Sequence, residues 1–280
     1  MRGWPGIGKT TLAAVIGHDR DMCERFADGI LWVSLGQRPN HLSKLASWGR
    51  ALSIVQVERA ADESEASALL TAHLRHRRML LIIDDVWATE DARPFIVGGA
   101  CATLITTRLS SVADALAPAE DVYCLRALSE PDALVLLKRL APNVVDQHLE
   151  RARELVTDLE GLPLAIHVAG HLLNSEHTLG LGITDLIADL RSGGEILASK
   201  PPANMVGLVG ETTPTVAALF RKSTDLLQPT DQKCFARLGA FASKPVTLDL
   251  RALAHVWNVK DPKLIARLLA DRGLIEPVAA

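Results

Sequence analysis

Gly3, Gly8, Lys9 and Thr10 stand at the spacing G-x-x-x-x-G-K-[ST], with Gly6 between them, in the run Gly3-Trp4-Pro5-Gly6-Ile7-Gly8-Lys9-Thr10. The helix-forming stretch Thr11-Leu12-Ala13-Ala14-Val15-Ile16 follows at once. Residues of these types can wrap a phosphate chain. Glycines let backbone N–H groups turn inward where a Cβ would obstruct, and the start of the helix adds partial positive charge. Lys9 would neutralise the terminal phosphates, the Thr10 hydroxyl would hold Mg²⁺, and Thr11 would lie beside them at the loop's end. With no phosphate present we expect the Lys9 ammonium to face solvent and to contribute little to stability. An octapeptide is also met by chance, so a second element is needed.

That element is Met79-Leu80-Leu81-Ile82-Ile83, a continuous apolar run that ends in Asp84-Asp85. An apolar run of this length reads as a strand buried on both faces of a parallel sheet, and acids at its C-terminal end lie where such sheets bind ligands. Asp84 is the expected carboxylate for the Mg²⁺ water shell opposite Thr10. Asp85 would orient or deprotonate an attacking water, which requires a carboxylate within reach of the γ-phosphate. The alternative is a buried strand that ends in a helix N-cap, a position Asp also favours.

These motifs sit in a chain of 280 residues, 48% hydrophobic and 22% charged, with room for two or three small domains. Its apolar runs fall short of a membrane span. Met1-Arg2-Gly3 has no charged-then-apolar leader, so we expect a cytoplasmic protein. Cys23, Cys101, Cys124 and Cys234 are isolated, which favours buried thiols over disulfides or a metal site. The basic cluster His73-Leu74-Arg75-His76-Arg77-Arg78 reads as a solvated helix end, and the net charge of −3 offers nucleic acid no general attraction.

Positioning the two motifs requires alternating strands and helices. A helix over 10–18 leads to the strand 29–35, then helices over 41–54 and 64–76, the Asp84 strand, a strand over 101–108 and a short strand over 121–125. This alternation predicts a doubly wound α/β parallel sheet. From Ser129 the period becomes helical, with Ser129 as an N-cap and later helices over 146–159, 164–173 and 183–190. A Gly- and Pro-containing stretch separates these from helices over 214–227, 231–241, 248–257 and 262–272 and an apolar strand near 273–278, the pattern of a winged helix cut off in its wing. The expected domains are a P-loop nucleotide-binding domain (1–126), an all-α helical subdomain (127–198), a linker (199–211) and an incomplete winged-helix domain (212–280). Trp32, Trp87 and Trp257 read as core residues.

Five motifs in order resemble the NB-ARC family of signal-transduction ATPases, which includes plant disease-resistance receptors and the apoptotic protease-activating factor. They are the loop from Gly3 to Ala13, the strand motif from Phe26 to Leu35 with Trp32, Leu80-Leu81-Ile82-Ile83-Asp84-Asp85-Val86-Trp87, Thr106-Thr107-Arg108, and Gly161-Leu162-Pro163-Leu164-Ala165. The resemblance implies an ADP/ATP-binding switch with Mg²⁺ as cofactor. Arg108 would act as the sensor that tells ATP from ADP, Pro163 would pack against the adenine, and a histidine of a Met-His-Asp motif would contact the ADP β-phosphate. Hydrolysis would be slow and regulatory, and the ATP state would self-associate. In the family a strand precedes the loop, whereas here only Met1 and Arg2 do. The Met-His-Asp motif is not found either, so we expect a piece of a longer receptor whose sensor and effector domains lie elsewhere. Two alternatives stand beside this one: a winged helix that reads DNA, against which the balance of eight basic and five acidic residues from Asp231 onward argues, and a degenerate scaffold that binds nothing.

Overall fold

The computed structural model describes residues 1–177, 184, 185, 187–189, 219, 224, 225, 227–241, 247–271, 274 and 275. They fall into two units, Met1–Trp4 with Gly8–Arg126, and Pro5–Ile7 with Ala127–Ala280.

The first unit is built on three parallel strands, β1 (Gly29–Gly36), β2 (Met79–Val86) and β3 (Ala102–Thr107), in the order β1-β2-β3. Alternation along these strands sends their side chains into two different cores. Leu31, Val33 and Leu35 of β1 and Leu81 and Ile83 of β2 join a cluster on one face with Leu45, Trp48, Leu70, Leu74 and Phe95. Trp48 and Phe95 meet edge to face at 5.3 Å. On the other face, Ile30, Trp32, Leu80, Ile82 and Leu104 pack with Ala13 and Ile16 of helix α1 (Lys9–His18). Burial of each large aliphatic side chain contributes about 1.5–3 kcal/mol, so the sheet holds α1 through its apolar face.

The helices that cover the first face are α3 (His41–Ala51), α4 (Val55–Glu58) and α5 (Glu63–Leu74), preceded by α2 (Arg20–Arg25). The helix expected over 41–54 therefore ends early. Ser53 takes φ 57°, and the chain turns there so that Ile54 and Val57 both enter the core. After β2 come α6 (Thr89–Ala92) and, beyond β3, α7 (Ser110–Leu116). His41 ties three of these helices together, its Nδ1 lying 2.8 Å from Glu63 Oε2 and its Nε2 3.0 Å from Asp91 Oδ1.

The short strand expected over 121–125 is reduced to one parallel bridge between Cys124 and Arg2, and a 3-10 turn occupies Ala119–Asp121. Arg2 also bridges Thr107, so it lies between β3 and the Cys124 segment. Its N–H donates to Tyr123 O at 2.8 Å and its carbonyl accepts from Leu125 N at 2.8 Å. A ladder extends only as far as its partner. Among the described residues β3 has no ladder partner on its outer edge along Ala102 to Leu104, and these residues stay half-buried.

The second unit is helical: α8 (Glu130–Leu140), α9 (Pro142–Gln147), α10 (Leu149–Asp158) and α11 (Pro163–His177), followed by α12 (Pro229–Arg237), α13 (Leu250–Trp257) and α14 (Lys263–Asp271). Ser129 caps α8, accepting from Asp132 N. The helix expected over 146–159 is two helices, broken at His148 (φ −136°), so that Val144 and Val145 of α9 and Ala152, Leu155 and Val156 of α10 are all buried. Leu164 N donates to Gly6 O at 3.2 Å. Trp257, Leu253, Cys234 and Leu269 centre a cluster formed by the last three helices. The linker at 199–211 and most of the helix expected over 214–227 lie outside the described residues, whereas residues 184, 185 and 187–189 of the helix expected over 183–190 are described and helical. The wing near 273–278 also lies outside the described residues, apart from Leu274 and Ile275.

The four cysteines are not uniformly buried as expected. Cys234 is buried and Cys101 partly so, but Cys23 and Cys124 are exposed. The cause is local: Cys23 lies in α2, a six-residue helix with no buried position, and Cys124 lies in the single-bridge segment.

Candidate functional site

Gly8 is the N-cap of α1 and takes φ 100°, a left-handed conformation that a side chain resists. It has no side chain with which to cap. Of the helices that follow in this unit, α2, α3 and α5 are capped by Asp19, Asn40 and Asp62, and α4, α6 and α7 have no side-chain cap. No side chain caps the first turn of α1, which lies at the positive end of the helix dipole. A Cβ added at Gly8 would meet no atom within 4 Å, so the space beside this turn is clear. This cradle fits the oxygens of a phosphate group.

Lys9 departs from expectation. It is 8% exposed rather than solvent-facing, and Nζ donates to Gly3 O at 2.8 Å and to Trp4 O at 2.9 Å. Burial forces the ammonium to find acceptors, and the carbonyls at the loop's start supply them. The side chain thereby ties the first turn of α1 to the beginning of the loop. Thr10 follows in the same turn, and Thr11 is exposed.

Thr10 Oγ1 donates to Asp84, 3.0 Å from Oδ1 and 3.2 Å from Oδ2, which joins the loop to the end of β2. Asp84 is 1% exposed. It accepts a second hydrogen bond on Oδ1 from Thr106 Oγ1 at 2.6 Å, so two hydroxyls from different elements fix the carboxylate. Thr106 also accepts from the Asp85 N–H at 2.9 Å. Asp85 stands at φ 55°, rare for a residue with a Cβ, and the β2-β3 register shifts at this point. The amide of Asp85 leaves the ladder, and Thr106 satisfies it. The irregularity turns the Asp85 side chain away from the direction regular alternation would give it.

Asp85 Oδ1 lies 3.7 Å from Arg108 Nε, and the Arg108 guanidinium stands 5.0 Å from the centre of the Trp87 ring. Trp87, expected as a core residue, is partly buried and lies against a cation. Thr107 Oγ1 donates to Val86 O at 2.7 Å and accepts from Leu109 N, which sets the turn that presents Arg108. The structure thus brings Thr10, Asp84, Asp85 and Arg108 to the C-terminal end of the sheet, with Gly3, Gly8 and Lys9 at the loop that precedes α1. Pro163 is the first residue of α11 in the second unit, partly buried, where a missing N–H costs nothing. Gly161 precedes it at φ 63°, with its N–H donating to Val156 O and its carbonyl accepting from Leu128 N.

Two polar residues at the ends of the strands carry no role in the sequence motifs. Thr106 lies within a motif, and only the fold gives it its contacts with Asp84 and Asp85. Ser34 shows in the sequence as a hydroxyl between Val33 and Leu35 in an apolar strand. Ser34 is 3% exposed and its Oγ has no hydrogen-bond partner among the described residues. An unpaired buried hydroxyl costs about 1–3 kcal/mol.

The open N-terminus of α1, the ammonium beside it and the hydroxyl–carboxylate pair fit a nucleoside phosphate with a divalent cation. Gly3, Gly6, Gly8 and Lys9 would surround phosphate, and Thr10 and Asp84 would hold the cation.

Comparisons with known proteins give the family. A family profile, "NB-ARC domain", matches residues 1–146. Regulatory protein AfsR of Streptomyces coelicolor is 28% identical over 100% of this chain and 27% of its own length. Apoptotic protease-activating factor 1 of Danio rerio is 30% identical over 61% of this chain and 14% of its own. Disease resistance RPP8-like protein 3 of Arabidopsis thaliana is 31% identical over 64% and 21%. The chain thus spans about a quarter or less of the length of these relatives. Among solved structures, a Signal Transduction ATPase with Numerous Domains (STAND) protein with a tetratricopeptide repeat sensor, from Pyrococcus horikoshii, superposes with a TM-score of 0.62 over 99% of this chain and 36% of its own. Its 17% identity makes this a likeness of fold. The loop, the acidic strand and the profile match together place the chain in the NB-ARC family of P-loop NTPases.

Proposed function

We propose that this chain is an ADP/ATP-binding switch whose nucleotide, with Mg²⁺, is held by Gly3, Gly6, Gly8, Lys9, Thr10 and Thr11, with Pro163 against the adenine. The observation that carries this reading is the Thr10–Asp84 hydrogen bond. It joins two motifs 74 residues apart in the chain into one hydroxyl–carboxylate pair beside an uncapped helix start. Mg²⁺ when bound neutralises phosphate charge and orients the phosphates. Asp84 would accept from the cation's water shell, and Thr10 would offer its oxygen to the cation. Asp85 orients the attacking water. Arg108, steadied on Trp87, offers its fork of donors to the γ-phosphate.

Hydrolysis in this scheme is slow and regulatory. ADP and ATP differ by the group that Arg108 and Asp85 face, and a ligand shifts a conformational equilibrium only by its differential affinity for the two states. The exchange of ADP for ATP would then open the protein and drive self-association in the cytoplasm. The domains we assign to this cycle are 1–126 for nucleotide, 127–198 as the helical subdomain, 199–211 as the linker and 212–280 as a winged helix.

Calorimetric titration with ADP and with ATP, each with Mg²⁺ and with a chelator, tests the reading. Binding that depends on Mg²⁺ and is lost in Lys9→Ala supports it. No binding by the folded wild-type chain overturns it.

A further inference from the structure

Ser34 is paired in register with Asp84 across the β1-β2 ladder. Residues paired on adjacent strands project to the same face of a sheet. Below this pair, Ile30 is in register with Leu80 and Trp32 with Ile82, and all four belong to the cluster beneath α1. Ser34 therefore ends an apolar column on the α1 face. It flanks the Asp84 carboxylate from β1, and Thr106 flanks it from β3.

The two flanking hydroxyls are not equivalent. Thr106 donates to Asp84 Oδ1 and accepts from Asp85 N, so its donor and one of its two acceptor positions are used. Ser34 Oγ is also buried but has no partner among the described residues. Asp84 Oδ1 already accepts from Thr106 and Thr10, which leaves Oδ2 with the longer Thr10 contact. Alanine would fill the backbone requirement here without an orphan hydroxyl. A buried hydroxyl beside a carboxylate instead suits a site that receives a hydrated ion. Mg²⁺ keeps several waters in an octahedral shell, and each such water has two polarised protons that need acceptors. Neighbours of this kind tune metal affinity without touching the metal.

On the reading that a nucleotide and a cation bind here, we infer that Ser34 belongs to the cation site: its hydroxyl accepts a hydrogen bond from a cation-bound water, alongside Asp84 Oδ2. A neutral acceptor at this position adds a hydrogen bond without adding a second buried carboxylate next to the phosphates.

The test uses the whole chain as wild type, Ser34→Ala and Ser34→Cys, the last keeping the volume with a poor acceptor. Three quantities are read: the ADP dissociation constant in chelator, the Mn²⁺ dissociation constant of the ADP-loaded protein by electron paramagnetic resonance, and the ligand-free unfolding midpoint. We expect both variants to melt at or above the wild-type temperature, to bind ADP in chelator as the wild type does, and to bind Mn²⁺ about tenfold more weakly. Unchanged Mn²⁺ affinity in either folded variant overturns the inference and makes Ser34 an unpaired core hydroxyl. Weakening of ADP binding in chelator by the same factor as Mn²⁺ binding also overturns it, since the defect would then be general. A wild-type chain that binds ADP with no metal-dependent gain overturns the cation reading itself, and Ser34's part with it.

Discussion

In the proposed scheme Lys9 would neutralise phosphate, and in the structure it ties the first turn of α1 to the start of the loop. Hydrogen bonds from charged groups contribute about 1.5–3 kcal/mol each, and Lys9 makes two, to Gly3 O and Trp4 O. We therefore expect Lys9→Ala to lower unfolding free energy by about 3–6 kcal/mol in urea titrations, in addition to abolishing measurable ADP binding by calorimetry. A variant that loses ADP affinity with no change in stability would mean that the two carbonyls find water instead. Thr106 makes a different prediction, because it touches no ligand in the proposed scheme. Thr106→Val removes the donor to Asp84 and the acceptor for Asp85 N, and should weaken Mg²⁺-dependent affinity while ADP binding in chelator persists. Thr106→Ser should restore most of that loss. Asp85→Asn and Arg108→Ala, paired at 3.7 Å, should leave ADP affinity within about threefold of wild type and slow single-turnover ATP hydrolysis. Hydrolysis at the wild-type rate in Asp85→Asn would remove Asp85 from the reaction.

At the scale of elements, the turn from α10 into α11 depends on one residue. Gly161 takes φ 63°, and a Cβ there would lie 2.4 Å from Leu128 O, a backbone atom that cannot simply rotate aside. Left-handed backbone costs about 1–2 kcal/mol for a residue with a Cβ, and overpacking adds about 1–3 kcal/mol. Gly161→Ala should therefore cost about 2–5 kcal/mol in urea unfolding and displace Pro163 at the start of α11. Cys234 reports on the last three helices. Burial, and after it the Asp231 carboxylate, raises its thiol pKa, and Arg237 offsets part of this. The folded protein therefore holds the proton more tightly than the unfolded chain. The stabilisation is present below the unfolded thiol's pKa, about 8.5, and is lost as pH rises through the folded value. Urea midpoints of this part should fall between pH 7 and pH 10, and Cys234→Ala should flatten that fall. At neutral pH a thiol reagent should label the exposed Cys23 and Cys124 quickly and the buried Cys234 only on unfolding.

For the whole molecule, the proposed switch makes a thermodynamic prediction. A ligand at 100 times its dissociation constant stabilises the folded state by about 2.7 kcal/mol, and each kcal/mol moves the midpoint of a domain this size by about 2–4 °C. ADP with Mg²⁺ should thus raise the melting midpoint by about 5–10 °C, and Asp84→Ala should remove the part that depends on Mg²⁺. Light scattering should find larger particles with ATP than with ADP. Equal sizes would leave nucleotide binding intact and remove self-association from the scheme.

The sequence by itself determined the chemistry of the loop, the strand that carries the acids and the order of the motifs. Each of these is written in consecutive residues: glycines where backbone must approach phosphate, five apolar residues before Asp84, and alternation that sends Leu31 and Ile30 to opposite cores. Tertiary structure decided which residues meet at the end of the sheet. Ser34, Asp84 and Thr106 become neighbours through strand register, which no local pattern encodes. The same holds for Arg108 on Trp87 and for Lys9, whose burial depends on how the loop folds back. The short strand over 121–125 failed for a related reason: its residues are apolar enough to pair, but a ladder needs a partner along its whole length, and Arg2 supplies a single position.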